Sequence, residues 1–348
     1  MFVLAAAVLS FMLPGRICSC TGNSELCRAA KFAEEIPLKY LRHPVLFVLL
    51  MLATAAQAVE TAYIPQAQQV VKGVYAIIGP LGQRSEQNDG LNNNLGFVVG
   101  SDGVILIDSG ASRLGAQAIA RAVTAITPLP VKWVINTGSQ DHRWLGNDYF
   151  ARQGAEIIAL ERTVRTQAQY AAQQLESLRG FLGARLEGTQ PHTAPQSLSG
   201  DQVSLERGGV RLELRYTDAH YPGDVWVWLP DHSVLFSGDL VYVDRVFAVL
   251  PWSSVVKGRQ AYRNLEALAP KYIVPGHGRV TDLAGARRDC GDYYDFLADT
   301  IGAAARDMEP MDEVLDRYSD LPAFRHLEHF QDLHRTNMNR AYLEFEQL

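Results

Sequence analysis

The sequence predicts an α/β protein built as a four-layer αββα sandwich with a C-terminal helical extension. The 348-residue chain is 47% hydrophobic, which is ordinary for a globular protein with a large core. Short runs rich in Val and Ile recur in two separate stretches and are broken by Gly or Asp at turns. Segments with apolar residues at helical spacing lie between and after these runs. Two strand-rich halves with outer helices indicate two facing sheets covered by helices.

The first strand-rich half begins near Val70. The runs VVKGVYAIIG and LGFVVGSDGVILIDSG predict paired strands, and a helical pattern over 113–126 follows them. The run VKWVIN then predicts a buried strand that leads directly into a turn. A helix over about 145–153, the strand AEIIAL and a long Gln- and Ala-rich helix over about 162–180 complete this half.

The second half repeats the scheme. The runs VSLERGGVRLELRYTD, DVWVWLP and SVLFSGDLVY predict strands, a helix is expected near 258–268, and YIVPG predicts another strand. Residues 286–348 carry Tyr, Phe and Leu at helical spacing among many charges. This pattern indicates a helical cap packed on the core rather than a second active domain.

The N-terminal region resembles a secretory signal. Lys39 and Arg42 precede the apolar run PVLFVLLMLATA, and Ala56-Gln57-Ala58 follows it. We expect cleavage after Ala58. The alternative is an uncleaved membrane anchor, but the run is shorter than the roughly 20 residues that span a bilayer. The predicted divisions are therefore an N-terminal extension and signal over 1–58, a main domain over 59–285 and the helical cap over 286–348.

Charge and cysteine content narrow the possible partners. The net charge is −6 and no basic stripe is visible, which argues against a nucleic-acid partner. Cys290 is the only cysteine after Ala58, so the predicted mature chain has no intramolecular disulfide. We expect a small-molecule substrate and no membrane association after signal cleavage.

Four motifs occur in a fixed order. Residues 136–147 read NTGSQDHRWLGN, and TDAHYPGDVWVWLP, VLFSGDLVY and YIVPGHGRV follow around His220, Asp239 and His277. The first motif resembles the turn NTHxHxDHxxGN of the metallo-β-lactamase superfamily without its first two histidines. The resemblance covers about 70–280 and implies the metallo-β-lactamase sandwich.

The resemblance also implies a metal site of His and Asp donors. Gly138 and Gln140 stand where the two missing histidines would be. Glycine has no side-chain donor, and an amide oxygen is a poor zinc ligand. We therefore expect the first metal position to be empty or weak, and one zinc ion rather than two. Iron suits the same donors.

The alignment of the turn leaves two registers open. Without gaps, His142 lies under the family's Asp and Arg143 under its His. If the turn is one residue shorter before Asp141, then Asp141 and His142 keep the family roles. This register keeps four metal ligands together: Asp141, His142, Asp239 and His277. We favour it, because losing both histidines and also burying Arg143 beside Asp239 would leave little purpose for the three downstream motifs. The alternative is a guanidinium that replaces the metal.

The favoured chemistry is hydrolysis of a small ester, lactone, thioester or amide by metal-bound water. His220 completes the predicted ligand set, and Asp141 and His220 are the predicted catalytic residues, one orienting water and the other shuttling a proton or binding the oxyanion. Asp108 resembles a family aspartate that orients the ligand loops, or else it caps the helix that starts at Arg113. Two other functions stay open: a non-catalytic periplasmic binding or carrier protein, and an iron-dependent redox protein.

Within the superfamily, the first motif resembles the branch of quinoprotein relay system zinc metallohydrolases. That resemblance implies a periplasmic protein with a functional link to periplasmic quinoprotein dehydrogenases. The signal-like segment agrees with this compartment. Neither feature identifies a substrate.

Overall fold

The computed structural model describes residues 63–348. The predicted signal over 1–58 and its cleavage site lie outside the described residues. Within 63–348, no helix is long and apolar enough to cross a membrane.

The first sheet has six strands in the order β1-β2-β3-β4-β5-β6, as the strand-rich first half predicts. Strands β1 to β4 pair antiparallel, whereas β4, β5 and β6 are parallel neighbours. The strands are β1 Ala67–Val71, β2 Val74–Ile77, β3 Leu95–Val99, β4 Val104–Ile107, β5 Val131–Ile135 and β6 Glu156–Ile158.

Helices provide the crossovers between the parallel strands. Helix α1 (Arg113–Thr124) begins where the Ser112 side chain accepts a hydrogen bond from the Gly115 amide. One helix was predicted over 145–153; the structure has a short helix before this segment, at 141–144, and a second short helix within it, at 147–151. The remaining helices of this half are α2 Asp141–Trp144, α3 Asn147–Ala151 and α4 Glu161–Leu182.

The second sheet has five strands in the order β11-β10-β9-β8-β7. Strand β9 is buried throughout, which explains why its run VWVWL shows no polar alternation. Strand β7 lies at the edge and alternates between exposed and half-buried residues. The strands are β7 Gln202–Arg207, β8 Val210–Tyr216, β9 Val225–Leu229, β10 Val234–Phe236 and β11 Tyr272–Val274.

Helix α5 (Val255–Leu268) connects β10 to the parallel β11. A nearly continuous helical segment over 283–306, α6, then alternates α and π turns. Helices α7 (Met311–Arg317) and α8 (Phe330–Glu346) end the chain. These helices share one buried apolar cluster with α5 and with β9 and β10, so the C-terminal segment packs on the second sheet as predicted.

Two further apolar clusters complete the layers. One fills the space between the sheets, with side chains from β2, β4, β8 and β9 among others. The other lies between the first sheet and α1. The molecule is therefore the predicted αββα sandwich, and the ends of β4, β5, β10 and β11 meet at one edge of it.

Candidate functional site

The candidate site lies where four buried strands end. Asp108 directly follows β4, Asp239 lies in a short 3-10 turn after β10, and His277 follows β11. Helix α2, in the turn after β5, contributes His142 and Arg143. Each of these residues lies just after a hydrogen-bonded strand or in a short turn, so rigid elements hold the site in place.

His142, Asp239 and His277 form the centre of the site. One donor atom from each lies within 4.8 Å of the others, and all three residues are buried. His142 Nε2 is 3.1 Å from Asp239 Oδ2, and His277 Nε2 is 3.4 Å from Asp239 Oδ1. The structure thus brings together three of the five predicted ligands.

The Arg143 guanidinium lies in the same centre. Its side chain is 2% exposed, and it forms ion pairs with both Asp239 and Asp108. Nη1 donates to Asp108 Oδ2 and to the Asn94 carbonyl oxygen, each at 3.0 Å. Nε donates to Asp239 Oδ2 at 3.2 Å, and Nη2 donates to Asp239 Oδ1. Arg143 is therefore a fully buried cation fixed between two carboxylates.

The carboxylate of Asp239 accepts three hydrogen bonds and has a fourth nitrogen, His277 Nε2, at 3.4 Å. Arg143 donates to both oxygens, His142 lies on Oδ2 and His277 lies on Oδ1. An ionised carboxylate offers about four lone-pair directions. Hydrogen bonds within the protein therefore use most of the acceptor capacity of Asp239.

Arg84 fixes the tautomer of His142. Arg84 Nη2 lies 2.6 Å from His142 Nδ1, and arginine nitrogens only donate. His142 Nδ1 is therefore the acceptor, and the neutral ring carries its proton on Nε2, where it donates to Asp239. Both ring nitrogens of His142 are engaged.

Asp108 orients the turn after β5. Its carboxylate accepts from the Thr137 amide at 2.7 Å, from the Thr137 hydroxyl at 2.6 Å and from Arg143. Its backbone has a φ of 64°, a left-handed conformation that is uncommon for a residue with a side chain. Ser112, and not Asp108, caps α1. Of the two predicted roles, the geometry is that of the orienting residue.

Asp141 is not part of the three-residue cluster. It forms an ion pair with Arg84, and its Oδ1 also accepts from the His142 amide at 2.7 Å. Asp141 therefore does not join Asp239 and His277 in the four-ligand group that the shifted register predicts. The geometry is that of the gap-free register, with His142 and Arg143 facing Asp239. The reason is rotation along α2, because consecutive helical residues project in different directions.

His220 is also separate from the three-residue cluster. Its Nε2 lies 3.4 Å from the Tyr242 hydroxyl, and Tyr242 stacks on His277 with ring centroids 4.7 Å apart. A narrow cavity beside His220 is lined by Phe247, Ser253 and other residues. His220 thus reaches the centre through Tyr242 rather than directly.

The positions of the missing histidines hold no metal donor. A Cβ atom at Gly138 would lie 2.6 Å from Asp224 Oδ1, so the buried Asp224 carboxyl fills the space beside it. The Gln140 amide oxygen is buried and has no hydrogen-bond partner among the described residues. Neither position therefore supplies an imidazole nitrogen to the site.

Burial and charge shift the pKa values of the central groups. Burial would raise the pKa of Asp239, but the Arg143 charge and His142 hold it well below its usual value. Burial raises the pKa of Asp108 to about 6 despite Arg143. Burial lowers the pKa of His277 to about 3, and burial together with the Arg84 charge lowers that of His142 well below 6.5. Both rings are neutral at pH 7.

The donor chemistry decides whether the predicted metal fits. His142, Asp239 and His277 are residue types that bind zinc or iron. In the arrangement described above, however, Asp239 already accepts three hydrogen bonds from Arg143 and His142, and His142 has no free lone pair on either nitrogen. A ligating histidine normally donates its second N–H to an acceptor, whereas His142 Nδ1 faces a guanidinium. A metal ion therefore does not fit this arrangement.

Two of the residues that build the site carried little sequence signal. Arg84 lies in the loop LGQRSEQNDG, which matches no motif, and it reaches His142 across 58 positions. Tyr242 follows the GD turn, but an aromatic residue at that place is as typical of the core. The sequence did indicate Arg143, because the gap-free register aligns it with the family's His.

Comparisons with known proteins identify the family of the chain. A model of the metallo-beta-lactamase superfamily matches residues 88–277. The 2,4-dinitroanisole O-demethylase subunit alpha from Nocardioides sp. (strain JS1661) is 28% identical over 235 residues, which are 65% of this chain and 63% of that protein. The chain thus spans less than two thirds of that relative.

Solved structures show the same fold. A metallo-beta-lactamase from Pontibacter korlensis has a TM-score of 0.52 at 19% identity, over 64% of this chain and 95% of that chain. A double mutant of the sec-alkyl sulfatase PisA1 has a TM-score of 0.64 at 16% identity, over 81% of this chain and 50% of that chain. With the family match over more than half of its length, the chain belongs to the metallo-beta-lactamase superfamily.

Proposed function

We propose that this protein is a hydrolase that acts on a small ester, lactone, thioester or amide at the site around Asp239 and His277. Membership of the superfamily supports a metal-dependent, hydrolase-like function in general. The fold implies a metal cofactor, and the His/Asp/His cluster is present. Because a metal does not fit the arrangement of donors, the proposal rests on what the chain's own residues do.

The observation that carries the proposal is the free ring nitrogen of His277. Its Nε2 faces Asp239, which leaves Nδ1 buried and without a hydrogen-bond partner among the described residues. A neutral imidazole held by a carboxylate on one side is the arrangement of a general base. His277 Nδ1 would take the proton of an attacking water, and Asp239 would stabilise the charged ring.

His220 and Tyr242 lie next to this base. Burial raises the pKa of Tyr242 well above 10, so its hydroxyl keeps its proton. The Tyr242 hydroxyl lies 3.4 Å from His220 Nε2, and the two would donate to the oxyanion or return a proton to the leaving group. Asp141, the other predicted catalytic residue, has its charge balanced by Arg84 and would position that arginine instead.

Aromatic residues beside His220 support a substrate with an apolar part. Tyr170, Tyr221 and Trp252 contact one another, with centroid distances from 5.2 to 6.4 Å. Trp252 is 45% exposed, although large aromatic side chains usually lie mostly inside. The group would hold the acyl or aryl part of a substrate.

The test is a hydrolysis screen of the purified protein with esters, lactones including β-lactams, thioesters and amides. His277→Asn should lower kcat by about 10²- to 10⁴-fold, because it removes the base. His326→Asn is the matched control, since His326 lies on the surface and should leave the rate unchanged. Equal rates in the wild type and His277→Asn, or no turnover of any substrate class, would reject the proposal.

A binding or carrier protein is the second candidate. The specific observation in its favour is the charge-compensated centre, in which Asp239 and Arg143 already satisfy each other. Tight binding of a screened compound without turnover would select this candidate. The iron-dependent redox alternative meets the same lack of free donors.

Compartment and partner remain proposals that rest on sequence. The signal-like segment before Ala58 supports export to the periplasm, and the resemblance to the quinoprotein relay branch supports a link to quinoprotein dehydrogenases. Cell fractionation together with identification of the N-terminal residue tests the export proposal. The expected result is a periplasmic mature chain that starts at Val59.

A further inference from the structure

The centre of the site is occupied by a cation that belongs to the chain. We propose that the Arg143 guanidinium replaces the metal ion of the superfamily, so that the wild-type site is complete without a metal. We further propose that Arg143 is what excludes the ion, so that Arg143→His would open the site to one divalent cation. This inference concerns the cofactor and does not depend on the proposed hydrolysis.

The Arg143 guanidinium compensates the charge of the buried carboxylates. A metal ion in such a site compensates buried carboxylates, and an unpaired buried carboxylate is very costly. Here Arg143 pairs with Asp239 and Asp108 at once, and its fork geometry gives two parallel hydrogen bonds to Asp239. Burial lowers the pKa of Arg143, but the two carboxylates more than offset this and keep the guanidinium charged.

Hydrogen bonds to several segments fix the position of the Arg143 guanidinium. Arg143 Nη1 also donates to the Asn94 carbonyl oxygen, and the Asn94 side chain donates to the carbonyl oxygens of Pro275 and Gly278, which flank His277. The guanidinium therefore connects β3, β4 and the loop after β11. An arginine that merely filled a gap would not need these partners from three separate segments.

The residues around Arg143 also lack free metal-donor atoms. His142 carries its proton on Nε2 because Arg84 donates to Nδ1. Gly138 has no side chain, and the buried carboxyl of Asp224, whose pKa burial raises well above its usual value, lies directly beside it. The surroundings of Arg143 are therefore those of a site that already contains its cation.

The gap-free register identifies the substitution that would reverse the exchange. Position 143 corresponds to a metal-binding histidine in the family motif, so Arg143→His would place an imidazole beside Asp239 and His277. Asp239 would regain the two lone pairs that Arg143 uses. Two imidazoles and a carboxylate are a common zinc-binding set.

The experiment is a titration of the full-length protein with zinc and, for its visible absorption, with cobalt. The wild type should bind no stoichiometric metal after chelator treatment and dialysis, by calorimetry and elemental analysis. Arg143→His should bind about one ion per chain and show a cobalt spectrum and a higher Tm with zinc. Arg185→His is the matched control, because Arg185 is exposed and should remain metal-free.

Each outcome decides a stated part of the proposal. About one zinc per wild-type chain, lost in His277→Ala, would overturn it. A folded Arg143→His protein without metal would overturn the claim that Arg143 is what excludes the ion. If Arg143→His does not fold, the wild-type titration and the nitrogen NMR shifts of His142 still decide. The proton should be on Nε2, and a protonated Nδ1 would contradict the arrangement.

Discussion

The two halves of the molecule supply the site in different ways. The second sheet delivers Asp239 and His277 in the sequence contexts that the superfamily pattern predicts. The turn after β5 in the first sheet delivers Gly138 and Gln140 in place of histidines, and it places Arg143 against Asp239. The charge of a buried centre can therefore be kept while its donor chemistry changes. The second half provides Asp239 and His277, and the first half provides the cation together with the second carboxylate, Asp108.

The largest effect is expected when the cation is removed. Arg143→Met leaves the buried Asp239 and Asp108 without their common partner. Losing one partner of a buried ion pair costs about 3–5 kcal/mol, so the free energy of unfolding should fall by that amount. Urea unfolding measures it.

Arg185→Met provides the matched control for that experiment. Arg185 pairs with Asp89 at the surface, so its loss should cost less than about 1 kcal/mol. Equal losses in the two variants would show that the contrast between the centre and the surface is wrong.

A smaller effect is expected from acid. In the unfolded chain, His277 binds a proton below about pH 6.5, whereas burial keeps it neutral in the folded protein down to about pH 3, its folded pKa. Its contribution to stability is therefore complete above pH 6.5 and is lost as the pH falls from 6.5 towards 3. Asp108 acts in the opposite direction, because its folded pKa is raised to about 6.

The variant His277→Asn isolates the contribution of this histidine to the pH dependence of the unfolding free energy. Its unfolding free energy should fall less steeply than that of the wild type between pH 6.5 and 4.5. The difference in slope should be at most about 1.4 kcal/mol per pH unit, the value for one proton. Superimposable slopes would mean that His277 does not carry this acid sensitivity.

The smallest effect is expected at Cys290, in the apolar cluster of the second half. The thiol is fully buried and contacts the Leu240 carbonyl oxygen at 3.5 Å, and burial raises its pKa to about 12. A thiol reagent at pH 8 should leave Cys290 unmodified until the protein unfolds, because the thiolate is the reactive form. Peptide-resolved mass spectrometry checks this, and rapid labelling of the native protein would contradict the packing described for this region.

The sequence predicted the fold, and it located Asp239 and His277 but not the separate position of His220, because strand ends depend on local patterns whereas contacts between loops do not. Runs such as VILID and YIVPGHG show a buried strand and the polar residue at its end. The turn after β5 was harder, since spacing alone does not say which of three consecutive polar residues faces inward on a four-residue helix. Arg84 could not have been assigned at all, because its contact with His142 depends on how a loop without a motif folds back over the sheet.

The guanidinium at the centre also bears on how the chain reaches its native state. In a metalloprotein, part of the folding free energy depends on the concentration of free ion, so stability changes with supply. A cation that is part of an arginine side chain is present at full occupancy in every molecule that folds. The stability of this protein would then be independent of trace-metal levels, and its maturation would require no step of ion delivery.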